Sequence, residues 1–77
     1  MKTKKLTEAQ TASLTLLNHK EQADFYDLLH VGANGSTTTK LVDLQLIDLS
    51  VSKENGKTWS ITQAGREALA AGRYAVV

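Results

Sequence analysis

The chain has 77 residues, of which 42% are hydrophobic and 22% are charged, and its formal net charge at pH 7 is +1. A chain of this length buries only about 60–65% of the surface that it exposes when unfolded, so it has room for one domain with one core. The absence of cysteine excludes a disulfide framework and a thiolate metal site, whereas the balanced charge excludes neither a nucleic-acid nor a protein partner.

The first five residues include Lys2, Lys4 and Lys5. We predict that residues 1–5 form a flexible basic arm, which either lies along a phosphate backbone or remains a frayed, solvated terminus. Neither this arm nor any later stretch has an apolar run long enough for a secretory signal or a membrane-spanning helix. We therefore expect a cytoplasmic protein without a membrane partner.

Two helices are predicted in the first half of the chain. Thr7 and Gln10 have the spacing of a capping box, so the first helix is predicted to begin after Thr7 and to run to about His19. The second helix is predicted from Lys20 to about His30, because its apolar residues recur at helical spacing. The residues of this second helix that we expect in the core are Phe25, Leu28 and Leu29.

A third helix is predicted after the glycine-rich turn at residues 32–35, whose composition tolerates a positive φ and ends the second helix. Ser36 is predicted to be its N-cap, and the helix is predicted to run to about Gln45. Only one side of it can be buried, and Leu41 and Leu44 lie on that side. The predicted exposed side carries Ser36, Thr39 and Asp43, with Thr38 and Lys40 on its flanks.

Two alternating strands, at residues 49–52 and 58–62, predict a β-hairpin. Asn55 and Gly56 alone would favour a two-residue turn, but that register sends the apolar side chains of the two strands to opposite faces. We therefore favour a three-residue loop with Gly56 in a bulge, which gathers the apolar side chains on one face and puts Trp59 in the core. This register pairs Val51 with Trp59, and Leu49 with Ile61.

A closing helix is predicted from Gln63 to about Ala71, with Thr62 as its N-cap and Gly72 at its C-terminal end. Gly65 lies inside the first turn of this helix, where it lowers helix propensity, so we expect the backbone there to pack closely against the hairpin. The folded domain is predicted to cover residues 6–72. The tail at 73–77 has no predicted role.

Three helices, a β-hairpin and a closing helix are the element order of winged helix-turn-helix domains. The residues resemble that family as well, in its bacterial or phage transcriptional-regulator type. The resemblance covers residues 6–71 and implies an α+β, mostly helical winged helix-turn-helix fold. It rests on 24–32 and 36–44, which resemble a helix, a glycine turn and a recognition helix, and on 46–48 and 59–69, which resemble the wing and the closing helix.

The chain departs from the family pattern at two places. Gln45 stands where many relatives have glycine, so a left-handed conformation there would cost free energy. The turn at 32–35 is also longer than the tight turn of most helix-turn-helix motifs.

The resemblance implies double-stranded DNA as the partner. The third helix would enter the major groove, with Ser36, Thr38, Thr39 and Lys40 near base edges and phosphates. Phosphate contacts beside it would come from Lys53, Lys57 and Arg66. Each residue also has a simpler interpretation: the hydroxyls form a cap and a solvated first turn, the hairpin lysines protect a β-edge from aggregation, and Arg66 pairs with Glu67 or solvent.

A protein-docking module without DNA binding is the alternative function, because the net charge is near neutral, the second helix is acidic, and Asp43 lies on the exposed face of the third. We expect no enzyme, since no nucleophile stands beside a base and no paired carboxylates share a face. No cofactor is expected, and His19 and His30 lack the partners that a metal site needs. A basic stripe joining the third helix to the hairpin would favour DNA, and an exposed apolar patch there would favour docking. The oligomeric state stays open.

Overall fold

A computed structural model describes residues 2–54 and 56–76. Four helices and two small antiparallel sheets make up the fold, which confirms the predicted α+β, mostly helical class. In chain order the elements are β1 (Lys2–Lys5), α1 (Glu8–Lys20), β2 (Gln22–Ala23), α2 (Phe25–His30), α3 (Gly35–Asp43), β3 (Ile47–Ser52), β4 (Gly56–Ile61), α4 (Gln63–Ala71) and β5 (Arg73–Val76).

The predicted capping box at the start of α1 is confirmed. The Thr7 N–H donates to Gln10 Oε1 at 2.9 Å, and the Gln10 N–H donates to Thr7 Oγ1 at 3.1 Å, so two N–H groups without helical partners are satisfied. The inner side of α1 carries Leu14 and Leu17, which are fully buried. This helix is therefore fixed both at its first turn and along its apolar side.

The second helix is shorter than predicted. The chain leaves α1 at Glu21, whose φ of 69° breaks the helix, and residues 22–23 then pair with β4 as a short strand. Asp24 caps α2 instead, with its Oδ1 accepting from the Asp27 N–H at 2.8 Å. The predicted start at Lys20 was therefore wrong.

The six residues of α2 present only one side to the rest of the fold. Leu28 is fully buried, as expected, but the expectation that Phe25 and Leu29 also lie in the core was wrong, because both are exposed. The Phe25 ring instead covers the edge of the core, where its centroid lies 6.2 Å from that of Trp59.

The start of α3 also differs from the prediction. Asn34, and not Ser36, is the N-cap, since its Oδ1 accepts from the Thr37 N–H at 3.0 Å. The helix ends at Asp43, two residues earlier than expected, because Gln45 adopts a left-handed φ of 62°. Gln45 thus adopts the left-handed conformation that glycine favours, at a position where many relatives have glycine.

The three-stranded sheet has the order β2-β4-β3, and its register differs from the predicted one. Leu49 lies opposite Trp59, and Ser52 lies opposite Gly56, so the predicted pairs were wrong by two positions. A shift of two residues leaves every side chain on its predicted face, which explains why Trp59 is nevertheless buried. Asn55, on which both turn hypotheses rest, lies outside the described residues, while Gly56 has a φ of 67°.

The closing helix begins and ends as predicted. The Thr62 hydroxyl accepts from the Gly65 N–H at 3.0 Å and donates to the Gln45 carbonyl at 2.7 Å, and Gly72 ends the helix with a φ of 74°. One side chain therefore joins the first turn of α4 to the segment that connects α3 with the hairpin.

Replacing Thr62 with alanine is expected to lower the free energy of unfolding by about 2 kcal/mol, because a helix cap and a second hydrogen bond are lost together. Urea titration followed by circular dichroism measures the loss. Thr15→Ala is the matched control, since Thr15 is exposed in the middle of α1, and it should change stability by less than about 0.5 kcal/mol. Equal effects of the two substitutions would contradict the bridging role of Thr62.

The two ends of the chain pair with each other, contrary to the expectation of a flexible arm and an unassigned tail. Strands β1 and β5 form an antiparallel ribbon, in which Lys5 lies opposite Arg73 and Lys4 lies opposite Tyr74. Tyr74 is buried in the core, and the Leu6 N–H donates to the Gly72 carbonyl at 3.1 Å. These contacts hold residues 2–5 and 73–76 in place; Met1 and Val77 lie outside the described residues.

The buried apolar residues come from all four helices, both sheets and the connecting segments. They are Leu14, Leu17, Ala23, Leu28, Ala33, Leu41, Leu46, Ile47, Trp59, Ala68 and Tyr74. Within residues 2–54 and 56–76, no helix has the length and apolar character needed to cross a membrane.

Candidate nucleic-acid interface

The outer face of α3 is a continuous polar surface. Ser36, Thr39, Lys40 and Asp43 are exposed, whereas Leu41 is fully buried. Side chains three and four positions apart share one side of a helix, so these four residues form a single strip. A strip of hydroxyls, one cation and one carboxylate can exchange hydrogen bonds with a polar partner along the whole helix.

Thr38 does not belong to this strip, and the prediction that it contacts DNA was wrong. Its side chain is only 3% exposed, and its hydroxyl donates to the carbonyls of Asn34 at 3.1 Å and Gly35 at 3.0 Å. Because the helix begins at Gly35, Thr38 turns toward the core and bonds back to its own first turn. It supports the helix and cannot reach a base.

A groove of about 250 Å³ separates α3 from the hairpin. The helix side is lined by Thr38, Thr39, Val42 and Asp43, and the hairpin side by Leu49, Lys57 and Trp59. The structure thus brings the predicted residues Thr39 and Lys57 to one groove.

Sequence reasoning did not find Leu49 and Val42 as groove residues. The predicted register placed Leu49 at the base of the hairpin, opposite Ile61, whereas the structure places it opposite Trp59. Exposure of the hairpin's apolar face rises from the base to the tip: Ile47 is fully buried, Leu49 is 43% exposed and Val51 is 70% exposed. The alternation of apolar residues correctly indicated which face of the hairpin is apolar. It did not indicate how far that face extends beyond the core.

Among the residues that the structure describes, the cations near this groove form no ion pairs. The one ion pair found among the described residues joins Lys20 to Asp27 at 3.1 Å, and the hydrogen bond from Lys20 lowers the pKa of the Asp27 carboxyl. Lys40 on α3, Lys57 on β4 and Lys53 at the hairpin tip are all exposed. Their charges are therefore available to an external anion.

Arg66 and Ser36 are placed differently from Thr39 and Lys57. Arg66 is exposed on α4 and is not among the residues that line the groove. Ser36 is exposed in the first turn of α3 and also lies outside the groove lining. Within the described part of the chain, no group of three or more His, Asp or Glu side chains is arranged to hold a metal ion.

No protein-family model matches the sequence, and no curated protein matches it either. Two solved structures are similar. A MarR-family transcriptional regulator from Silicibacter pomeroyi has a TM-score of 0.75 and 18% identity, over 86% of this chain and 49% of that one. A probable transcriptional regulator from Pseudomonas aeruginosa has a TM-score of 0.71 and 27% identity, over 87% of this chain and 56% of that one.

The present chain therefore spans about half the length of these two solved structures. Similarity at this level over most of the chain confirms the predicted winged helix-turn-helix fold. Within this fold, α3 corresponds to the predicted recognition helix and the β3–β4 hairpin to the predicted wing.

Proposed function

We propose that this winged helix-turn-helix domain binds double-stranded DNA as the DNA-contacting part of a transcriptional regulator. One observation carries the proposal: the exposed strip of α3 borders a groove that also holds Lys57 of the wing, in a fold shared with two proteins described as transcriptional regulators. The role proposed is binding rather than catalysis.

The recognition helix supplies the contacts that depend on base sequence. The major groove of B-DNA is about 12 Å wide and admits one helix, whose N-terminal half lies nearest the bases. Ser36 and Thr39 are exposed there, and their hydroxyls can both donate to and accept from base edges. Lys40, on the same strip, contacts a phosphate.

The wing and the closing helix supply contacts to the backbone. Lys53 and Lys57 flank the hairpin tip and meet phosphates beside the recognition helix, which fixes its position without selecting a sequence. Arg66 adds a phosphate contact from α4. Asp43 is repelled by phosphates, but its carboxylate can accept a hydrogen bond from N4 of cytosine, so it is proposed to face bases.

The salt dependence of binding tests this proposal. Three or four phosphate contacts from α3, the wing and α4 release counterions, so they should contribute about −2.7 to −3.6 to the slope of log K against log salt concentration. Fluorescence anisotropy with a labelled duplex of mixed sequence measures the slope. If no salt-dependent binding occurs even at low ionic strength, the proposal is wrong.

Variants separate the two kinds of contact. Changing Lys53 and Lys57 together to glutamine should flatten the slope by about 2 and weaken binding to all sequences alike. Thr39→Ala should leave the slope unchanged and alter the preference among sequences. Lys20→Gln is the control, because Lys20 already pairs with Asp27, and it should change neither quantity.

Protein docking is the second candidate, and the apolar surface of the wing favours it. Leu49 and Val51 are exposed on the hairpin, and Phe25 is exposed on α2 beside Trp59. Exposed apolar side chains of this kind are common at protein interfaces. This second function is supported if the chain does not bind DNA and if Val51→Ser weakens its self-association or its binding to a partner protein.

A further inference from the structure

The ribbon formed by β1 and β5 concentrates positive charge. It contains four of the nine lysines and arginines of the chain, namely Lys2, Lys4, Lys5 and Arg73, and no aspartate or glutamate occurs in residues 2–5 or 73–76. All of β1 is exposed, and the single ion pair within the described ranges lies elsewhere, at Lys20 and Asp27. Within residues 2–54 and 56–76, no ion pair neutralises these cations, although Glu67 of α4 lines the same groove as Arg73.

One cross-strand pair makes this arrangement unfavourable in the isolated protein. Lys5 lies directly opposite Arg73, and like charges in such a position destabilise a pair of strands. The ribbon nevertheless stays in place, since buried Tyr74 ties β5 to the core. A polyanion lying along the ribbon would replace this repulsion with attraction.

A groove of about 410 Å³ extends from the ribbon across α4 to the residues that follow α3. It is lined by Thr3 and Arg73 of the ribbon, by Glu67 and three alanines of α4, and by Leu44 directly after α3. Successive side chains turn by about 100° around a helix, so Leu44 lies roughly opposite Thr39 and Val42, which line the groove toward the wing. The exposed strip of α3 lies between these two sides.

We propose that the β1–β5 ribbon is a third DNA-contacting element, which binds the phosphate backbone on the far side of the recognition helix from the wing. This inference rests on the proposed function. A duplex over the exposed strip of α3 then meets Lys53 and Lys57 on one side, and the ribbon cations on the other. Charge complementarity selects the occupant, because Lys5 and Arg73 are cross-strand neighbours on one face of the ribbon and can both meet a line of phosphates. Lys2 and Lys4 lie on the opposite face, which they share with Tyr74.

Two single variants and their combination test the inference. Lys5→Gln and Arg73→Gln should each flatten the salt slope by about 0.9, and the double variant by about 2, since each removes one phosphate contact. Lys20→Gln removes the same charge from the net total and should leave the slope unchanged. Melting temperatures from circular dichroism check the fold; the like-charge pair predicts no loss of stability for either single variant.

Failure of the ribbon inference can be distinguished from failure of the proposed DNA-binding function. If the wild-type chain binds DNA and the wing variant flattens the slope, but the ribbon variants behave like Lys20→Gln, only the ribbon inference is overturned. If the wild-type chain shows no salt-dependent binding at all, both proposals fail. Should the double variant unfold, Lys5→Gln alone still decides, because its own slope either changes by about 0.9 or stays that of the wild type.

Discussion

Replacing Trp59 with alanine is expected to lower the free energy of unfolding by about 3–5 kcal/mol, the largest effect of any single substitution considered. Trp59 is only 7% exposed and occupies the central strand of the β2-β4-β3 sheet, between Ala23 and Leu49. Truncation would leave a cavity under the sheet that three strands in fixed register cannot close. It would also remove the ring against which Phe25 packs.

Tyr26→Ala is the control for this prediction, since Tyr26 is an aromatic residue of α2 that is 75% exposed. Its loss should change stability by less than about 0.5 kcal/mol. Urea titrations followed by far-ultraviolet circular dichroism suit both variants, because Trp59 is the only tryptophan and its fluorescence disappears with it. A loss below about 1 kcal/mol for Trp59→Ala would place its ring outside the core and contradict its position on the buried face of the sheet.

Gly65→Val is expected to lower the free energy of unfolding by about 3 kcal/mol. A Cβ atom at this position would collide with the backbone carbonyl of Leu46 and with the Ile61 side chain. That carbonyl also accepts the Thr62 N–H at 3.1 Å, so the shift needed to admit a side chain would break a hydrogen bond at the base of the hairpin. The sequence-based expectation of close backbone packing at Gly65 is thereby confirmed.

Gly35→Ala is the matched control, because Gly35 also lies in the first turn of a helix but has open space around its Cα. Alanine raises helix propensity, so this variant should be as stable as the wild type or more stable by up to about 1 kcal/mol. Thermal melting by circular dichroism ranks the two variants. Equal destabilisation of both would mean that lost glycine flexibility, and not the contact with Leu46, causes the effect.

Local chemistry in the sequence predicted the starts of α1 and α4 correctly. Thr7 and Thr62 are good cap residues, and each hydroxyl accepts from the N–H three residues later. The start of α3 was missed because Asn34 and Ser36 are both good caps, and their order of preference does not decide between them. The neighbouring Ala33 is buried, and this tertiary contact cannot be deduced from composition.

For the strands, the sequence predicted which side chains share a face but not which residues pair across the sheet. Alternation of apolar residues has a period of two, so registers that differ by two residues satisfy it equally well. The pairing of β2 with β4 and of β1 with β5 was not predicted at all. Both pairings join segments far apart in the chain, and neither β1 nor β2 carries an alternating apolar pattern.

The candidate site was predicted for the residues whose exposure follows from helix periodicity, such as Thr39 and Lys40. Thr38 was misassigned because its environment depends on the residue at which α3 begins. Arg73 received no role, since its importance comes from lying opposite Lys5 across the ribbon.

The pairing of β1 with β5 also determines the order in which the fold assembles. Lys4 and Tyr74 lie 70 positions apart, whereas the hairpin joins Ser52 to Gly56, only four positions away. Loop-closure entropy makes the longer connection about 2.5 kcal/mol less favourable before any contact is gained. The ribbon should therefore close last during folding and open first in the native state. The strongest concentration of positive charge thus lies on the element that is expected to open first. A polyanion bound there would contribute most to local order.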